Sequence, residues 1–308
     1  MVDMRGWWQD LTDLVLPAEC GGCGTPRVAL CARCRAALCG AAPRRVRPVP
    51  EPPGLPVVHA AAAYEEAVRA VLLAHKERGA LALVGPLGEA LAGAVRASLA
   101  YGDEGARGAK GARGTTAGGA GAVPVLLVPV PSAGRAVRAR GHDPVRRIAL
   151  AAAGELRRRG VPARVLGALR QRRPVADQAG LNSRERRANL SGALGTVPGA
   201  GPLLRGAGHV VVVDDLMTTG ASLTEAARAL GGVDGVQGEG DDQAHRTGPH
   251  RARNGAENQI GNQPSRGEGN GTAGVPANAL VARAKGAAKT VSAAVVAASP
   301  DSFKINRN

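Results

Sequence analysis

The sequence predicts an α/β fold: a parallel-rich sheet flanked by helices, preceded by a small cysteine module. Three observations predict it. Apolar runs rich in Val and Ala recur at 57–64 (VVHAAAAY), 124–131 (PVLLVPVP), 209–215 (HVVVVDD) and 289–298 (KTVSAAVVAA), as strands buried on both faces require. Helical patterns stand between them, and that alternation implies parallel strands. Four cysteines in the array CGGC-x7-CARC lie ahead of the first strand.

Taken in order, residues 1–18 read as a short amphipathic helix, with Trp7, Trp8, Leu11, Leu14 and Val15 at helical spacing. The array then places Cys20, Cys23, Cys31 and Cys34 as two C-x-x-C knuckles. Two knuckles complete a tetrahedral four-sulfur site of the kind that suits structural Zn²⁺. The alternatives are reduced thiols or a redox pair, and Cys39 is left over as an alternative ligand. The first unit is 1–45, and 46–56 is a proline-rich, stiff linker. The main domain is 57–300. Within it, Glu65–His75 and roughly Leu81–Leu99 read as helices. Residues 102–122 are a Gly/Ala low-complexity insert read as flexible. The strand at 124–131 leads to a basic loop over Arg135–Asp143, then a helix over Pro144–Arg159 with Pro144 in its first turn. Residues 164–169 read as a strand, and 170–190 are basic and polar without a clean period. The strand at 209–215 is followed by a helix over 221–231. Residues 232–288 read as a second, disordered insert, and 301–308 as a tail.

The composition bounds the function. Net charge is +15, which attracts polyanions and phosphorylated metabolites, or simply keeps the surface soluble. Aromatics make up 2% of the chain, too few for a stand-alone module that stacks single-stranded bases. No run of 18 apolar residues exists, so no membrane insertion is expected. The N-terminus lacks a basic segment followed by an apolar run, and a cytoplasmic location is expected. No P-loop pattern occurs, and the single GxGxxG match, Gly269–Gly274, lies in the low-complexity insert with no strand before it.

Chemistry concentrates in VVVVDDLMTTGAS, Val210–Ser222. A buried strand ends in Asp214 and Asp215, a short turn follows, and a helix begins. Backbone amides and hydroxyls of Thr218, Thr219, Gly220, Ala221 and Ser222 suit a phosphate. The two carboxylates cannot serve that phosphate; they suit sugar hydroxyls or a cation. Ribose bearing a phosphate satisfies both ends. Ser132, Arg135, Arg138 and Arg140 follow a buried strand, where guanidiniums suit pyrophosphate; the other reading is a solvated basic loop. Gln178, Arg184, Arg186, Arg187 and Asn189 fit either a mobile lid or an exposed helix and loop. The histidines receive no role.

Together these segments resemble the ComF family of phosphoribosyltransferase-like proteins. The shared order is a Cys-rich N-terminal module, K-x-x-G (Lys76–Gly79), the VPVP strand with R…RG, Q-x-x-L…R-x-x-N (Gln178, Leu181, Arg186, Asn189) and VDD-x-x-TTGAS. The chain departs from the family pattern at His142 and Asp143, after the RG. The resemblance implies a type I phosphoribosyltransferase-like sheet that binds phosphoribosyl pyrophosphate (PRPP) with Mg²⁺. It assigns Asp214 and Asp215 to the ribose, Thr218–Ser222 to the phosphate, and the 131–141 loop (Ser132, Arg135, Arg140, Gly141) to pyrophosphate and metal. It also implies a role in DNA uptake, with single-stranded DNA and a helicase as partners. Two functions follow from it: phosphoribosyl transfer with pyrophosphate release, or non-catalytic sensing of PRPP or a nucleotide by a DNA- or helicase-binding accessory protein. No catalytic base or acceptor is identified.

Overall fold

A computed structural model describes residues 19–109, 123–175, 182–231 and 291–304. Its main sheet has six strands in the order β1-β2-β8-β7-β3-β4. They are β1 (Arg44–Val46), β2 (Val58–Ala63), β3 (Val125–Pro129), β4 (Ala163–Val165), β7 (Val210–Met217) and β8 (Val291–Ala298). The strands from β2 to β4 are mutually parallel, and only β1, on the edge beside β2, is antiparallel. A separate antiparallel pair joins β5 (Leu169–Gln171) to β6 (Leu194–Thr196).

The alternation of side chains across each strand builds two cores. Val125, Leu127, Val211, Val213, Ala294 and Val296 face one side. There they meet the helices α1 (Ala32–Cys39), α2 (Glu66–Arg78), α3 (Val84–Ala109) and α5 (Pro144–Arg158). Leu126, Val128, Val210, Val212, Ala293 and Val295 face the other side. That side is covered by α8 (Ala221–Gly231), α7 (Ala200–Arg205) and the β5–β6 pair. Val211, Val212 and Val213 have no exposure at all, and each buried valine stabilises by about 1.5–3 kcal/mol. With so few aromatics, the helices pack by close approach. A Cβ added to Gly88 on α3 would lie 2.5 Å from Ala151 Cβ on α5.

The element order agrees with the expected α/β alternation, and three expectations need correction. Arg135–Asp143 is not a loop throughout: Gly134–Arg140 forms α4, because Ala and Arg favour helix and the residues that end it stand at Gly141 (φ +73°). Asp143 then caps α5, accepting the Arg146 N–H at 3.1 Å. The stretch 102–122 is not insert from its start, since α3 continues through Ala109. Residues 170–190 hold β5 and α6 (Ser183–Leu190), the latter opened by a capping box between Asn182 and Glu185. The proline-rich segment begins with β1, and its Pro48 and Pro52 are buried. The expected helix at 1–18, Gln178, the remainder of the first insert and the second insert lie outside the described residues.

Candidate functional site

In an open parallel sheet, ligands bind beyond the C-terminal strand ends where the strand order reverses. That point here lies between β3 and β7: from β3 the chain adds β4 on one side, then β7 and β8 on the other. Ser132 and Arg135 follow β3, and the acid doublet sits near the end of β7.

At the doublet the sheet loses its regular alternation. Both ladders of β8 pass over one pair at this level, running from Val295 to Ala297 against β2 and against β7. Beyond it Leu216 packs with the same core as Val211 and Val213, and Met217 with the opposite one. Asp214 is 9% exposed and Asp215 5%. The Asp215 N–H donates to Asp214 Oδ1 at 2.8 Å. Burial, and then the Asp215 charge, push the Asp214 carboxyl well above the usual carboxylate range. Lys76 Nζ, in the last turn of α2, donates to Asp215 Oδ2 at 3.0 Å. Burial works to lower the Lys76 pKa, but Asp215 and then Asp214 outweigh it and raise it. The Lys76 side chain keeps 37% exposure, so its ammonium caps the buried acids from the solvent side.

The loop after β7 has the expected form. Gly220 adopts φ +74°, a left-handed conformation that suits glycine, and α8 starts at Ala221. Glu225 anchors this helix: it is buried, pairs with Arg228 Nε at 2.7 Å, and accepts the Leu194 N–H of β6 at 3.0 Å. The proline-rich segment lies against the loop, so that a Cβ on Gly220 would fall 2.9 Å from Leu55 Cδ1. Arg186 of α6 reaches across, its Nη1 donating to Thr218 Oγ1 at 3.2 Å. Its Nε is buried without a partner. The structure thus brings Arg186, read from the sequence as part of either a lid or an exposed helix, to the loop. Asn189 lies one turn further along α6, with its carbonyl accepting from Arg173 Nη2 at 2.9 Å.

The residues after β3 divide. Ser132 and Arg135 line a cleft of about 560 Å³ together with Arg138, Gln171, Arg172 and Arg173. Asp214 and Asp215 do not line it. Ser132 Oγ donates to Asp143 Oδ1 at 3.3 Å. Arg140 turns away from the cleft. Its Nε donates to the Ala136 carbonyl at 3.2 Å, and its Nη1 to the Lys76 carbonyl at 3.4 Å and toward Glu77 at 3.6 Å. Arg140 therefore holds the end of α2 that carries Lys76. Two histidines missed by sequence reasoning stand behind it. The His75 and His142 rings are 5.7 Å apart, and His75 Nε2 reaches the Pro144 carbonyl at 3.4 Å while His142 Nδ1 reaches that of Arg140 at 3.1 Å. Burial lowers the His75 pKa, so it stays neutral and locks α2 to the start of α5. Lys76 itself was visible only as the K of K-x-x-G.

The cysteine array forms a second centre. Sγ atoms of Cys20, Cys23, Cys31 and Cys34 lie within 4.8 Å of one another and form no disulfide. A zinc–sulfur distance of about 2.3 Å puts tetrahedral sulfurs roughly 3.8 Å apart, and Cys23 and Cys31 are already 3.5 Å apart. The Cys31 N–H donates to Cys20 Sγ at 3.3 Å, as outer-shell amides do around metal-bound thiolates. Hydrogen bonding from Thr25 lowers the Cys23 thiol to about 6. The glycines between the first two cysteines are needed for space: a Cβ on Gly22 would lie 2.6 Å from Cys34 Sγ. This cluster can hold a metal such as zinc. Cys39 is not part of it; its thiol faces the Pro86 carbonyl at 3.7 Å, and burial pushes it up to about 11.

Among the described residues no helix is long and apolar enough to cross a membrane. The chain matches no family model, and no curated protein matches it.

Proposed function

We propose that this chain is a type I phosphoribosyltransferase-like protein of the ComF kind that binds PRPP with Mg²⁺ and carries a structural zinc. The observation that carries the reading is the coincidence of the acid doublet, the Thr218–Ser222 loop and the Ser132–Arg135 segment at the point where the order of the described strands reverses. The orphaned Nε of Arg186 beside Thr218 supports an anion there.

In this reading Gly220 and the first amides of α8 hold the 5′-phosphate, with Thr218, Thr219, Ser222 and Arg186 adding donors. Asp214 and Asp215 accept from the ribose hydroxyls. Lys76 stands over Asp215, so the sugar enters by displacing its ammonium toward the phosphates. Ser132 and Arg135 face the pyrophosphate, whose charge Mg²⁺ neutralises when bound. In transfer, a nucleophilic atom of the acceptor bonds to ribose C1 as the C1–O bond to pyrophosphate breaks. Pyrophosphate leaves with the electron pair, and any proton on the acceptor nucleophile passes to water. The protein contributes position and charge.

A second reading, a PRPP- or nucleotide-sensing accessory to a DNA-uptake helicase on single-stranded DNA, draws on one observation: Lys76 already neutralises Asp215. Titration of PRPP and Mg²⁺ into the wild type and an Asp214→Asn/Asp215→Asn variant tests the site. Binding of equal strength in both would remove it. Pyrophosphate release with a panel of bases separates transferase from sensor.

A further inference from the structure

The four-cysteine array is packed against the helix that carries Lys76. From Glu19 to Leu30 the chain forms no helix or strand, only a bridge between Glu19 and Pro26. Its hydrogen bonds turn inward: the N–H groups of Cys20, Gly21 and Gly24 donate to the carbonyls of Thr25, Ala29 and Cys20 at 2.7, 3.0 and 2.9 Å. So short a segment without regular structure takes its shape from its metal when one is bound. Gly21 sits on the C-terminal end of α2. A Cβ there would lie 2.7 and 3.3 Å from the two Leu83 methyls and 3.5 Å from Ala74 Cβ, and one on Gly22 would lie 3.4 Å from Val71 Cγ2. Leu83 stands just past α2, in the turn Leu81–Leu83 that follows the Gly79 cap. Val71, Ala74 and Leu83 share one core with Leu38 of α1, the helix that carries Cys34. Lys76 falls roughly 170° around α2 from the Val71–Ala74 face. One face of the helix is thus seated on the knuckle while the opposite face hands Lys76 to Asp215 at 3.0 Å. The other braces on this turn are weaker. Arg140 Nη1 to the Lys76 carbonyl and His75 Nε2 to the Pro144 carbonyl are both 3.4 Å long, beyond the usual range.

We propose that the metal-filled array is a positioning element for Lys76: by seating the end of α2 it sets the ammonium on Asp215, and loss of the metal uncaps the acid pair. This role rests on the metal reading of the cysteines and not on the identity of the ligand that the acids take. Metal binding at one centre and ion pairing at the other are then coupled through a single helix. When the knuckle loosens, the turn that carries Lys76 keeps only its two long hydrogen bonds, and the ammonium swings free of Asp215.

Acetylation of the full chain by acetic anhydride, read peptide by peptide by mass spectrometry, tests this. Only the free amine reacts, and a carboxylate partner keeps a lysine as its ammonium. Removing zinc with a chelator should speed the labelling of Lys76 about tenfold, the effect of lowering its pKa by about one unit. Lys304, which pairs with Asp301 at 2.8 Å, is the internal reference and should stay within about twofold. Amide exchange over Val211–Val213 should remain slow, which certifies that the sheet is intact. Equal Lys76 rates with and without zinc, in a chain whose sheet stays protected, overturn the proposal. If chelation opens the sheet as well, Gly21→Ala decides. That variant keeps all four cysteines, and Gly21 does not take a left-handed backbone. Its methyl meets both ends of Leu83, a side chain with 1% exposure. It should bind about one zinc per chain and still label Lys76 about threefold faster or more. Leu83→Val in the same chain withdraws the clashing methyls and should restore the slow rate. A zinc-loaded Gly21→Ala protein with the wild-type Lys76 rate refutes the coupling. An array that takes up no zinc overturns the proposal together with the metal reading, and the ligand reading at the acids still stands.

Discussion

Replacing Gly220 by alanine tests whether the loop after β7 has the shape on which the phosphate reading depends. Two penalties and one gain can be worked out. The backbone at φ +74° costs an L-residue about 1–2 kcal/mol. The new methyl would sit 2.9 Å from Leu55 Cδ1 and 3.4 Å from Pro48 Cγ. The leucine end must shift to clear it, which adds about 1 kcal/mol, while the proline contact is ordinary van der Waals packing. Reduced freedom of the unfolded chain returns about 0.4–1 kcal/mol. The net loss is roughly 1–3 kcal/mol, or about 3–10 °C in Tm for a domain of this size. Thermal unfolding followed by circular dichroism reads it. A second variant, Leu55→Ala, makes a double-mutant cycle in which the steric part should appear as a coupling of about 1 kcal/mol. A Gly220→Ala protein that melts within about 1 °C of the wild type would refute the left-handed turn. Zero coupling would show that the proline-rich segment does not rest on it.

Two other outcomes are expected. Asp214→Asn keeps the acceptor for the Asp215 N–H and removes a carboxyl whose folded pKa is raised. A raised acid contributes stability below its unfolded pKa of about 4 and loses it as pH rises through the folded value. The variant should therefore match the wild type in acid and melt higher by ~2 °C or more at pH 8; equal melting at both pH values would rule out a raised Asp214 pKa. At the cysteine cluster, metal analysis should find about one zinc per chain. Cys34→Ala should lose the metal and unfold at lower temperature, while Cys39→Ser should retain it; loss of zinc from the Cys39 variant would contradict the four-ligand assignment.

The parts of this molecule written locally were legible. Val210–Val213 could only be a strand buried on both faces, the Thr-Thr-Gly turn and the helix at Ala221 followed from residue type, and the C-x-x-C spacing announced a cluster. Contacts between distant segments were not. Lys76 meets Asp215 across 139 positions, and no periodicity records that. Arg140 looked like its neighbours, yet its guanidinium turns back onto α2. The strands β5 and β6 are three residues each, too short to show an alternation. The capping box at Asn182 and Glu185 was readable, but the surrounding run of charges concealed it.

The helix α3 ends and β3 begins at the pole of the sheet away from Asp214 and Asp215, and so do the end of α8 and the start of β8. Both low-complexity stretches are thus spliced in at the same pole. The junction residues themselves stand at the pole opposite the acid doublet, so a label attached at the exposed Val123 is anchored a strand's length from Asp214 and Asp215.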